Sequence, residues 1–254
     1  MADGQRVALV TGGASGIGRA IARALVAEGH RVMIADLDPD RGETSAGEIG
    51  ASFVQGDLST RDDCRKAVDT TVDMLGPVQI LVNNAGFQHI DSIEDFPEEV
   101  WDRMQALMLT APFLLMKYCW AGMREAGWGR VINISSVHGL VASPFKSGYA
   151  SAKHGILGLT RTGAIEGGEQ GITVNALCPA YTLTPLVENQ LADLARSMGI
   201  PQEDVLKSVM LDPAAIKRAL DPSEIADLVV YLCSEKASGI TGAAWTIDLG
   251  WTAR

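Results

Sequence analysis

Val7-Ala8-Leu9-Val10-Thr11-Gly12-Gly13-Ala14-Ser15-Gly16-Ile17-Gly18 is the stretch that decides the fold. Its first four residues are apolar without polar alternation, which reads as a strand buried on both faces of a parallel sheet. The glycines follow as G-x3-G-x-G from Gly12, and a helix is predicted from Ile17 to about Glu28. Strand, glycine-rich turn and helix in that order let the backbone approach a pyrophosphate lying at the helix N-terminus. Such a turn can also serve backbone geometry alone; its setting between strand and helix favours the phosphate reading.

Outward from this unit the same alternation repeats. Strands are predicted at Arg31–Asp36, Ser52–Gln55, Gln79–Asn83, Val131–Ile134, Ile172–Ala176 and near Trp245-Thr246-Ile247. Between them lie segments of helical period: after Pro39, Arg61–Leu75, Glu98 to about Arg124, Gly148–Glu169 and after Pro222. About seven strands joined by helical crossovers imply an α/β fold, a doubly wound parallel sheet with helices on both faces. No low-complexity linker interrupts it, so residues 1–254 read as a single domain. The stretch from Ala180 to Asp221 lacks a clear strand and is rich in Leu and Met. An insertion of that kind reads as a lid, at about 184–221.

The chain has 254 residues, 47% hydrophobic and 20% charged, enough to bury a sizeable core. Lys and Arg number 21 against 31 Asp and Glu, a net charge of −10. That balance argues against a nucleic-acid partner and against a polybasic membrane anchor. An anionic small molecule would need a local cluster of cations here. Cys64, Cys119, Cys178 and Cys233 lie far apart without metal-type spacing and read as buried thiols, so no metal is expected. No secretory leader and no run of 18 or so apolar residues is read, and the expected location is cytoplasmic.

Candidate functional residues gather at the carboxyl ends of the strands, where open α/β sheets bind ligands. Asp36 ends the second strand, 24 residues after Gly12. A carboxylate there can accept hydrogen bonds from adenosine ribose and repel a 2′-phosphate, which favours NAD over NADP. Asp36 could instead merely begin a turn with Asp38 and Pro39. Asp57 follows the third strand and Asn83-Asn84-Ala85-Gly86 the fourth; Asp57 or Ser59 could cap the next helix, and Asn84 and Gly86 could simply shape their loop. Tyr149 and Lys153 are four apart on a predicted helix and share a face, with Ser136 13 residues before Tyr149. A lysine ammonium beside a tyrosine stabilises the phenolate and lowers its pKa from near 10.

These residues together resemble the short-chain dehydrogenase/reductase family over essentially the full length. Thr11-Gly-Gly-Ala-Ser-Gly-Ile-Gly18, Asn83-Asn-Ala-Gly86, Ser136, Tyr149, Lys153 and Asn175-Ala-Leu-Cys-Pro179 carry the resemblance. It implies a Rossmann-type sheet and hydride transfer between an alcohol or carbonyl and a nicotinamide. Tyr149 would be the acid/base, Ser136 the orienting group, and Lys153 the holder of the nicotinamide ribose. It also implies an NAD site formed by Gly12, Ser15, Gly16, Ile17, Gly18, Asp36, Asp57, Leu58, Asn84, Gly86, Tyr149, Lys153, Pro179, Thr182 and Thr184, and a homotetramer.

Gly86-Phe-Gln88-His89, Ser136-Val-His138, Lys146, Leu183-Thr-Pro-Leu-Val187, Gln190 and Gly250-Trp-Thr-Ala253 more narrowly resemble bacterial D-3-hydroxybutyrate dehydrogenases. That likeness implies a short 3-hydroxy acid as substrate, its carboxylate bound by Gln88, His138, Lys146 and Gln190. Trp251, a substrate-binding candidate near the C-terminus, would either close over a neighbouring site or pack an interface. Three positions depart from the pattern. Met108 stands where the family usually carries an asparagine whose main-chain carbonyl holds a relay water. Methionine keeps the carbonyl, and Pro112, lacking an N–H, leaves it without a helical donor. Ala180 replaces the usual glycine, and Tyr181 stands where the hydroxybutyrate enzymes tend to have tryptophan. Two other readings stay open. One keeps the family and changes the substrate to a longer 3-hydroxy acid, a polyol or a 3-ketoacyl thioester. The other is a non-catalytic nucleotide-binding protein.

Overall fold

A computed structural model of the chain describes residues 4–184, 187, 191, 195, 201–205 and 211–253. Val7–Thr11 forms β1, and every residue in it is buried, as an unalternated apolar run requires. The chain continues through α1 (Gly16–Ala27), β2 (Arg31–Asp36), α2 (Pro39–Ile49), β3 (Ser52–Gln55), α3 (Arg61–Leu75) and β4 (Ile80–Asn83). Next come α4 (Glu98–Gln105), a π-helical turn (Ala106–Thr110), α5 (Ala111–Ala126), β5 (Gly129–Ile134), α6 (Ser147–Gly167) and β6 (Ile172–Pro179). Past a short turn at Gln202–Val205, α7 (Pro222–Cys233) and β7 (Ala244–Ile247) complete the order. All seven strands are parallel neighbours in one sheet ordered β3-β2-β1-β4-β5-β6-β7.

Period-two alternation divides the strand side chains between two apolar layers. Val10, Ile34, Val82 and Ile132 face Ile21 and Leu25 of α1 and Ile225, Val229 and Leu232 of α7. Leu9, Met33, Leu81 and Val131 face Val68 of α3 and Leu115 and Met123 of α5. Each fully buried Leu or Ile contributes about 2 kcal/mol of transfer free energy, which fixes register in both directions. Local signals set the helix ends. Asp38 accepts from Arg41 N at the start of α2, Gly50 closes α2 in the left-handed region, and Asp221 with Glu224 forms a capping box on α7.

The expected uninterrupted helix from Glu98 to about Arg124 is instead three pieces. Pro112 cannot donate to Met108 O, and the chain widens before it into i→i+5 bonding, with Ala111 N donating to Ala106 O. Glu98–Ala126 as a whole is long and apolar enough to cross a membrane, with a mean hydropathy of 1.3 over its best window. The packing gives another reason for that hydropathy, since Met104, Met108, Leu115 and Met123 are buried within the fold.

The sheet reverses its winding between β1 and β4, so their following loops part and leave a crevice. The insertion after β6 starts and ends at one point on its rim. Thr182 bridges Leu220, Leu183 N donates to Leu220 O, and Leu220 N donates to Tyr181 O at 2.9 Å. Beneath the crevice, Gly18 leaves no room for a side chain: a Cβ there would overlap the Gly12 carbonyl and crowd Asn84 Nδ2. Gly18→Ala therefore should cost about 2 kcal/mol through backbone displacement, a fall in Tm on the order of 6 °C by calorimetry. An unchanged Tm would show that the turn does not depend on this close approach.

Candidate active site

Gly12 has φ +63°, which points the turn after β1 toward the crevice, and its N–H donates to Ala35 O. Thr11 and Asn84 then tie that turn to the loop after β4. Thr11 Oγ1 accepts from Asn84 N at 2.9 Å and Ala85 N at 3.0 Å, while Asn84 Nδ2 donates to Thr11 O and Gly12 O. Ser15 precedes α1 without making a side-chain cap, so the first N–H groups of the helix lack that partner. Gly12, Ser15, Gly16 and Ile17 line a cavity of about 520 Å³ that runs along the carboxyl edge of the sheet. Gly18 lies beneath it rather than in its wall.

Asp36, Leu37, Asp57 and Leu58 line one end of this cavity. Asp36 is held there by two main-chain donors, Ala14 N at 3.0 Å and Asp38 N at 3.3 Å. Asp57 accepts from the N–H and hydroxyl of Ser59 and lies 3.7 Å from Arg103. Those hydrogen bonds, and Arg103 to a lesser degree, hold its carboxyl below the usual range. Neither Asp57 nor Ser59 caps α3; Thr60 does, accepting from Asp63 N.

The other end of the cavity is lined by Ser136, His138, Lys146, Tyr149 and Lys153, with Gln88, Pro179, Tyr181, Thr182 and Thr184 around them. Tyr149 and Lys153 share the inner face of α6. Burial pushes the Tyr149 phenol above its ordinary value, and the Ser136 hydroxyl pulls it the other way. The expected lowering by Lys153 does not prevail. Its Nζ lies 5.5 Å from the Tyr149 ring centroid and donates to Ile134 O at 2.7 Å. Burial also brings the Lys153 pKa down to about 8. Ser136 Oγ accepts from His138 N–H, and Ser135 Oγ donates to Lys153 O. Gly139 permits this tight seam, since a Cβ there would overlap Ser135 Oγ.

His138 Nε2 lies 2.8 Å from Ser143 Oγ. Burial, helped by the charge of Lys146, pushes its pKa down to about 4, so at neutral pH it is an uncharged imidazole. Lys146 follows Phe145, a non-glycine residue at φ +65° whose carbonyl accepts from Asp91 N. That conformation, uncommon without glycine, turns the lysine inward. Lys146 Nζ donates to Tyr181 Oη at 3.4 Å, and burial lowers its pKa to about 8.

Trp251 does not line the cavity. Its ring packs on His138 at 5.7 Å between centroids, and its indole N–H has no partner among the described residues. Gln190 lies outside the described residues, as does much of the segment read as a lid. Met108 is buried behind the wall, its thioether against Gly86. Phe87, Leu107 and Val187 also line the cavity, with no chemical signal in the sequence to mark them. Tyr181 stood out only as a departure from a pattern. The four cysteines are buried and unpaired, and the described residues contain no cluster suited to a metal ion.

A nicotinamide dinucleotide fits this arrangement: the glycine turn brings backbone to one wall, and the cavity continues from Asp36 to Tyr149 without a break in its lining. The family model described as Enoyl-(Acyl carrier protein) reductase matches residues 12–252. The chain is 45% identical to "Uncharacterized oxidoreductase YxjF" of Bacillus subtilis (strain 168), over 98% of this chain and 99% of that protein. It is 44% identical to "D-beta-hydroxybutyrate dehydrogenase" of Rhizobium meliloti (strain 1021), over the same shares of each chain. A protein of the same name from Cupriavidus necator is 41% identical, over 98% of both chains. With matches along nearly its whole length and a seven-stranded parallel sheet to hold the cavity, the chain belongs to the short-chain dehydrogenase/reductase family and is a nicotinamide-dependent oxidoreductase acting on a CH–OH group.

Proposed function

We propose that this chain is an NAD-dependent D-3-hydroxybutyrate dehydrogenase that interconverts (R)-3-hydroxybutyrate and acetoacetate. The observation that carries the reading is Lys146. Its ammonium is buried in the wall that also holds Tyr149, and no carboxylate pairs with it among the described residues. A buried cation without a counter-charge is costly, and a substrate carboxylate would complete it. A thioester would bring no such charge. Gln88 and the neutral His138 offer further hydrogen bonds to the same anion.

In the oxidation, Tyr149 as phenolate would take the proton of the C3 hydroxyl, which Ser136 orients by hydrogen bonding. The nicotinamide, when bound, supplies the acceptor for the hydride leaving C3. Lys153 would stabilise the phenolate through its charge and carry the proton onward. The onward step uses a water held by the Met108 carbonyl, for which Pro112 provides no helical N–H. Asp36 supports NAD: it carries a negative charge at the far end of the cavity, where a 2′-phosphate would meet repulsion. Among the described residues, the cations in the lining are Arg103, Lys146 and Lys153, and Arg103 already faces Asp57.

A panel of short 3-hydroxy acids, both enantiomers, assayed with NAD and NADP, tests the whole assignment. (R)-3-Hydroxybutyrate with NAD should give the highest kcat/KM, and Tyr149→Phe should lower kcat by about 100-fold or more. Persistence of full turnover in Tyr149→Phe would remove it as the acid/base. Lys146→Ala should reduce kcat/KM for hydroxybutyrate at least about tenfold, chiefly through KM. Because the Lys146 ammonium is present below about pH 8 and lost above it, KM of the parent should climb as pH rises through that value. The same climb in Lys146→Ala would assign it to another group. Pro112→Ala restores an N–H opposite Met108 O and should slow kcat about threefold at constant KM; an unaltered kcat would exclude that carbonyl from the relay.

A further inference from the structure

Tyr181 joins the Lys146 side of the cavity to the segment beyond Thr184. Its main chain is pinned at the end of β6: Ala180 N donates to Ile247 O, and Leu220 N donates to Tyr181 O. Its ring packs against Val187, Leu191 and Val205, an apolar cluster of that segment. Its hydroxyl lies on the cavity side, accepting from Lys146 Nζ at 3.4 Å, with that nitrogen 5.5 Å from the ring centroid. The packing needs the ring alone; the hydroxyl serves the cavity.

Hydrogen-bonding capacity decides what the hydroxyl can do there. An ammonium only donates, so toward Lys146 the phenol oxygen must accept, and its own proton stays available. Burial holds this phenol above its ordinary pKa, so it keeps that proton at neutral pH. Lys146 and Tyr181 therefore present one cationic and one neutral donor side by side. Two adjacent donors match the two oxygens of a carboxylate.

We infer that Tyr181 is a specificity-determining residue of this site, whose hydroxyl positions the Lys146 ammonium and donates to the second oxygen of the substrate carboxylate. The inference rests on the carboxylate reading of the cavity proposed above. It adds to that reading a hydroxyl that discriminates carboxylates from esters and thioesters, whose carbonyl end carries no charge to share between two donors. Val187, Leu191 and Val205, packed on the same ring, hold it in place.

The test is Tyr181→Phe, which retains the ring and its packing and removes only the oxygen. KM for (R)-3-hydroxybutyrate should rise about tenfold with kcat within about twofold. KM for methyl 3-hydroxybutyrate should stay unchanged, a pattern that general loosening of the site would not produce. Equal losses on acid and ester, or a fall in kcat in place of the rise in KM, would overturn the inference. So would an unchanged KM for the acid in a protein where Lys146→Ala does raise it; the carboxylate reading would then stand alone. If Lys146→Ala also leaves KM unchanged, or the parent does not oxidise hydroxybutyrate, that reading fails and takes the inference with it. Should Tyr181→Phe not fold, Tyr181→Leu is read by the same acid-to-ester comparison.

Discussion

One side-chain exchange at the centre of the sheet holds the two halves of the site in register. Thr11 Oγ1 accepts two N–H groups from the loop after β4, and Asn84 Nδ2 returns hydrogen bonds to two carbonyls of the turn after β1. These strands are neighbours across the point where the winding reverses, so their loops diverge and have no ladder to align them. Without the exchange, the glycine turn and the Asn84–Gly86 loop would each be free to shift, and the cavity floor with them. The close approach of α1 to the turn depends on it as well, because Asn84 Nδ2 occupies space beside Gly18. Asn84 thus shapes the loop and lines the cavity at once; the two readings of this residue are not exclusive.

Charge in the site runs against charge in the chain. The protein carries a net −10, yet two lysines are buried in the cavity wall, 9% and 5% exposed. Desolvation is the largest influence on both, and it brings each ammonium to a pKa of about 8. A group held so near neutrality responds strongly to a nearby anion, since removing water raises the worth of each remaining interaction. Burial acts in the opposite sense on the Tyr149 phenol. In the absence of other ligands, then, the site favours neutral tyrosine and easily deprotonated lysines. An incoming carboxylate would return Lys146 toward full charge, which links substrate binding to the protonation of this wall.

The sequence made the sheet legible because short β-rich runs, apolar from Val7 to Val10 in β1 and mostly so elsewhere, alternate with helices of clear period. Every strand predicted is present; β5 and β6 extend beyond the expected limits, to Gly129 and Pro179, where flanking glycine and proline obscure the pattern. Residues marked by chemistry came together too: Asp36, Ser136, Tyr149, Lys153, Gln88, His138 and Lys146 line one cavity. Features decided by three-dimensional competition were not legible. Phe145 in the left-handed region carries no sequence signature, because that conformation is normally read from glycine or asparagine. The neutrality of His138 follows from burial and from Lys146, neither visible in its own spacing. Trp251, read as closing over a neighbouring site or packing an interface, packs on His138 of its own chain and is not in the cavity lining, a relation that linear distance conceals.

Under the proposed relay, the departure at Met108 need not remove the chemistry of the motif. A relay that uses a main-chain carbonyl places no demand on the side chain, provided the backbone leaves that carbonyl open. Proline at the fourth following position withholds the usual α-helical donor, because it has no N–H to give. The π-helical turn at Ala106–Thr110 is the local consequence, since the helix must pass a residue that cannot close its usual bond. The methionine side chain is then free to serve packing, and it does so against Gly86, in the loop whose register Thr11 and Asn84 set. An asparagine there would bring a polar amide into the apolar cluster of Met104, Ala152 and Phe96, which would cost stability unless it found partners. On this account, Pro112 withholds the usual α-helical donor from the Met108 carbonyl, and the methionine side chain fills the space against Gly86.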